Sequence, residues 1–104
     1  MPMPVEAMFD EIARRLLAED AGIERGPIMH SDGVKLGGRF FAFVSRGDLV
    51  VKVPADRVNA LIESGAGHPF ESGGRRMREW VRLSPEDEAA CAAYVDEARS
   101  FAAG

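Results

Sequence analysis

Residues 73–82 read GGRRMREWVR, and they hold the side chains with the most chemistry to offer. Arg75, Arg76, Arg78 and Arg82 surround Trp80, the only tryptophan of the chain. A guanidinium presents a planar fork of donors that fits a phosphate, and an exposed indole offers a face on which a nucleic-acid base can stack. In an extended strand Arg78, Trp80 and Arg82 share one side, and Glu79, Val81 and Leu83 the other. The same alternation admits a plainer reading. A lone tryptophan in a small domain is commonly core, with flanking arginine stems covering it. The preceding residues 65–72, GAGHPFES, read as a loop whose glycines permit bends and which carries His68. Lys52, His68, Arg75, Arg76, Arg78 and Trp80 are the candidate binding residues.

Other chemistries find less support. His30, His68 and Cys91 lie far apart and form no CxxC, HxxxH or HxxE pair, so no metal site is expected. Cys91 falls on the apolar stripe of a helix, where a thiol is a small buried hydrophobe rather than a nucleophile. His68 has no identifiable partner with which to act as a base. Gly65, Gly67, Gly73 and Gly74 resemble phosphate-cradling glycines only superficially, because a P-loop continues into a lysine, a hydroxyl residue and a helix. No catalytic residue and no cofactor are expected.

The elements that must hold these residues follow from periodicity. Val5, Met8, Phe9, Ile12 and Leu16 predict an amphipathic helix over 4–20. Residues 25–54, RGPIMHSDGVKLGGRFFAFVSRGDLVVKVP, have strand character, with a tight turn at Gly37-Gly38 and a hairpin of 39–45 with 48–53. Leu49, Val51 and Val53 share one face of the last strand, and Val50 and Lys52 the other. The middle strand is apolar on both faces, which predicts helices on the sheet, one on each side. Residues 55–64 read as a short helix ended by Gly65, and 78–84 as a strand. Ser84 is the expected cap of a final helix, with Pro85 in its first turn and Cys91, Tyr94, Val95, Ala98 and Phe101 as its stripe. The expected domain spans 1–104. It is α+β, in the order α-β-β-β-α-β-α, with an antiparallel sheet of three to four strands.

Composition bounds the partners. The chain has 104 residues, 46% of them hydrophobic, and a net charge of −4, which gives no general attraction to nucleic acid or anionic lipid. That charge is uneven: residues 1–20 hold five acids and two bases, 21–83 ten bases and seven acids, and 84–104 five acids and one base. The middle is basic and both ends acidic, so the terminal helices are expected to oppose a polyanion bound at the middle. No apolar run is long enough to span a bilayer, and the start lacks the apolar core of a secretory signal. A single cysteine fits a reducing cytoplasm.

Three blocks carry a family resemblance. They are the Gly-x-x-x-x-Gly hairpin starting at Gly33, the pair FAFV…LVVKVP, and the run GxGxPF…GR…MREW from Gly65 to Trp80. Together they resemble the TfoX N-terminal domain family and its MmcQ/YjbR-like relatives, over roughly residues 5–102. The chain departs from the pattern at Ile28–Asp32, where members carry a glycine-rich segment, and at Arg76, where many have proline. The resemblance implies an α+β fold of the double-wing kind and a link to competence regulation, with no known catalytic activity. The expected function is a non-enzymatic regulatory or interaction module. Its basic middle would bind a protein, a second copy of the chain or, weakly, nucleic acid. The alternative is a small-molecule or enzymatic site between the 65–78 segment and the sheet.

Overall fold

The computed structural model describes residues 3–104. It is an α+β domain built on one antiparallel sheet. Helix α1 (Val5–Glu19) leads into four strands, β1 (Ile23–Ile28), β2 (Ser31–Leu36), β3 (Arg39–Ser45) and β4 (Asp48–Lys52). Helix α2 (Ala55–Glu63), strands β5 (Gly67–Ser72) and β6 (Arg75–Leu83), and helix α3 (Glu88–Ala103) complete the order. The strands lie as β1-β2-β3-β4-β6-β5, so α2 carries the chain past the slot that β6 then fills.

Six strands replace the expected three to four. One addition is β1, which pairs with β2 through the two-residue turn Met29-His30. The other is β5: what read as a glycine-rich loop is half of a hairpin. Gly73 and Gly74 (φ 60° and 80°) form its turn, and both positive angles suit the right-handed twist of the strands. Gly37-Gly38 turns the chain as expected. Gly67, by contrast, is a contact residue. A Cβ there would stand 2.6 Å from Val81 Cγ2 and 3.2 Å from Leu61 Cβ, so its absence lets α2 sit close on β5 and β6.

All three helices cover the same face of the sheet, against the expectation of one on each side. Met8, Phe9, Ile12 and Leu16 of α1, Val58 and Leu61 of α2, and Cys91, Val95 and Ala98 of α3 form one core with Val34, Leu49, Val51, Val81 and Leu83. A bulge explains part of the misreading. The β2–β3 register slips between Val34 and Lys35, leaving Phe41 as an extra residue; Phe41 and Ala42 both belong to the helix-side core, whereas Phe43 does not. Ion pairs lace the helices together, Arg15 to Asp96 at 3.1 Å, Arg99 to Asp20 at 3.0 Å and Arg57 to Glu97 at 2.6 Å. As half-exposed pairs they contribute at most about 1 kcal/mol each. The cap of α3 is Asp87, whose carboxylate accepts from the Ala90 amide at 2.8 Å. Ser84, the expected cap, instead donates to Asp48 Oδ1 at 3.0 Å.

Candidate functional site

The sheet face without helices is not bare. Phe43 and Val50 are fully buried on it, and Phe70 and Trp80 close over Phe43. The Phe43 ring meets Phe70 edge-on with centroids 5.5 Å apart, and Trp80 at 5.4 Å; Phe70 and Trp80 are 6.5 Å apart. These spacings are those of favourable aromatic pairs. This second cluster accounts for the two-sided apolar pattern of β3 without a helix. Trp80 is therefore not part of the helix-side core; it is half-buried, with one side open. Val81 and Leu83, on the opposite side of the strand by alternation, point into the helix-side core.

On one side of this aromatic ridge runs a groove of about 520 Å³, lined by Trp80, Lys52, Arg75, Arg76 and Arg78, with Ser72, Met77 and the carboxylate of Glu79. Strand pairing builds it: Lys52 stands opposite Trp80 across β4 and β6, and Arg75 and Arg76 stand opposite Ser72 and Glu71 at the far end of the β5–β6 hairpin. Arg75, Arg76 and Arg78 are exposed, and Lys52 is half-buried. None of the four pairs with a carboxylate among the described residues. Free guanidinium and ammonium groups converging on a groove with an aromatic wall can hold phosphates and the ring systems attached to them.

Five of the six candidates, Lys52, Arg75, Arg76, Arg78 and Trp80, are thus brought together. His68 is not. It is exposed on β5 opposite Arg82 and lines neither this groove nor the hollow described next. Arg82 also drops out as a free cation, because Asp48 holds it at 3.3 Å. On the other side of the ridge lies a hollow of about 360 Å³, walled by Met29, Phe43, Phe70, Ser45, Arg46 and Glu71. Of these, Phe70 stands in the GAGHPFES run, but its partner Phe43 lies on β3, with β4 and β6 between the two strands.

Charge divides by layer. The strands and their turns, residues 23–52 and 67–83, hold nine basic and five acidic residues, a balance of +4. The helices and their flanks, residues 3–22, 53–66 and 84–104, hold four basic and twelve acidic, a balance of −8. Each helical cation, Arg14, Arg15, Arg57 and Arg99, meets a carboxylate. The expectation that the acidic termini oppose a polyanion is weakened by this arrangement. Asp10 of α1 reaches the sheet and pairs with Arg25 of β1 at 3.0 Å, but carboxylates on the outer helix faces lie a helix diameter, about 10 Å, behind the strands, farther than the screening length of roughly 8 Å at physiological salt.

Cys91 is buried in the helix-side core, and burial, aided by the Glu88 carboxylate, pushes its thiol up from 9.0 to about 11. At neutral pH it is a protonated packing group, not a nucleophile. Among the described residues, no cluster of three or more His, Cys, Asp or Glu suited to a metal ion occurs, and no helix is long and apolar enough to cross a membrane. No family model, no curated protein and no solved structure matches the chain.

Proposed function

We propose that the chain is a non-enzymatic binding module that holds a polyanion, nucleic acid foremost, against the open face of its sheet. The observation that carries the reading is the groove in which Lys52, Arg75, Arg76 and Arg78 stand unpaired beside Trp80. A protein that neutralises its helical cations and leaves seven strand-layer cations, these four among them, without a carboxylate partner among the described residues gathers positive potential on the sheet. The resemblance to the TfoX N-terminal family supports a regulatory role, since each of its blocks forms one hairpin: Gly33–Gly38 leads into the β2–β3 turn, FAFV…LVVKVP is β3–β4, and the run ending in MREW is β5–β6. A single buried thiol suits a reducing, cytoplasmic setting.

The affinity is modest. Four phosphate contacts correspond to a log–log salt slope of about −3 on a single strand and about −3.6 on a duplex, and contacts of this kind alone give dissociation constants near 10⁻⁴ to 10⁻⁶ M. The test is a fluorescence titration of a short duplex and a short single strand at two salt concentrations. Replacing Arg75, Arg76 and Arg78 together by alanine is expected to weaken binding at least tenfold and to reduce the slope to about −1. Micromolar binding that survives the triple change would move the site elsewhere. No binding by the parent at low salt would leave a protein partner as the better reading.

A further inference from the structure

We infer that the hollow beside the groove is a subsite for a single unpaired base, and hence that the preferred polyanion is single-stranded nucleic acid. The inference rests on the polyanion reading of the groove and deepens it.

The two cavities differ in chemistry as the two parts of a nucleotide do. The groove carries Lys52, Arg75, Arg76 and Arg78 against the one carboxylate of Glu79. In the hollow the charges are mixed: Glu71 and Arg46 both line it, and Arg82 is held by Asp48. What remains is an apolar wall of Met29, Phe43 and Phe70 with a hydroxyl at Ser45. A phosphate gains little there. A flat heteroaromatic ring gains a stacking partner in Phe70 and, along its edge, a carboxylate acceptor and guanidinium donors. A volume of about 360 Å³ is at the small end for a ligand site and admits a ring system rather than a duplex. Phe70 bounds the hollow, Trp80 bounds the groove, and their rings are 6.5 Å apart, so a strand crossing the ridge meets base-stacking and phosphate-binding surfaces side by side. Duplex bases stay stacked on one another and cannot enter.

The wall has a strained member. Met29 and His30 form a two-residue hairpin turn with φ 49° and 64°, left-handed angles that side-chain-bearing residues rarely adopt. The surrounding pairing enforces them, and the result is a methionine held 46% exposed at the rim of the hollow. An exposed thioether adapts to an aromatic face.

The experiment compares a labelled short single strand, an abasic strand of the same length and charge, and the duplex of the same sequence, at one low salt concentration. The base-bearing strand is expected to bind about tenfold or more tightly than the abasic one, the size of an aromatic–base stack. Phe70→Ala and, separately, Met29→Ala are expected to narrow the affinity ratio between the base-bearing and abasic strands toward one. Met29 is a surface residue, so its variant keeps the test alive if Phe70→Ala fails to fold. Equal affinity for the base-bearing and abasic strands, or tighter binding of the duplex, overturns the base subsite and leaves the polyanion reading standing. If none of the three binds, both readings fall.

Discussion

Cys91 shows how far a single residue can be read. Its place on the stripe of α3 announced a buried thiol, and it is one, with its ionisation pushed up to about 11. A thiol that ionises later in the folded state than in the unfolded chain leaves stability intact below the unfolded value and erodes it above. Between 9.0 and about 11 the unfolded chain has lost the proton that the folded one keeps. Stability should therefore fall across that window by roughly 3 kcal/mol more in the parent than in Cys91→Ala, which itself costs about 1 kcal/mol at neutral pH. Urea melts of both proteins at several alkaline pH values measure the difference; parallel curves would show that the thiol does not titrate as a buried group. Arg82 was less legible than Cys91. Its alternation with Trp80 was correct, but the carboxylate that neutralises it, Asp48, stands 34 positions away and meets it only through β4–β6 pairing.

Among the elements, α1, the β3–β4 hairpin and α2 were written in periodicity and turn residues, and they fold within a residue or two of expectation. The hairpins β1–β2 and β5–β6 were less visible for opposite reasons. The second has a good turn in Gly73-Gly74, but so many glycines surround it that strand and loop looked alike. The first has no turn signal at all, since Met29-His30 stands where Asn-Gly would be the ordinary choice. That anomaly is testable. Replacing the pair by Met29→Asn with His30→Gly should stabilise the domain by about 1 kcal/mol through relief of the left-handed strain. If Met29 walls a base subsite, the same double change should weaken single-strand binding. Thermal denaturation and the strand titration together check both signs. A destabilised double variant would show that Met29 and His30 are held by contacts worth more than the strain they bear. The candidate site was half legible for a related reason. Composition supplied the cations, but the two-faced apolar pattern of β3, which predicts burial between helices, reflects aromatic rings folding over one face.

Taken whole, the molecule is a body with a net charge of −4 whose two layers have opposite balances. That separation has a kinetic consequence. At low salt, where the screening length reaches about 30 Å, an approaching polyanion meets the net charge and is repelled; attraction begins only once the strands face it at close range. Encounter is thus gated by orientation rather than steered from afar. The association rate constant should sit in the unassisted range of about 10⁵ to 10⁶ M⁻¹s⁻¹. Added salt relieves the long-range repulsion even as it weakens the final contacts, so most of the salt dependence should fall on dissociation. Stopped-flow mixing that follows Trp80 emission can separate the two rates. An association rate that carries the full salt slope would mean that the basic face is felt at long range and that the acidic layer is no obstacle to approach. If dissociation carries it, the helices act as a filter on approach: they slow the arrival of any polyanion while leaving the lifetime of a well-seated one to the strands.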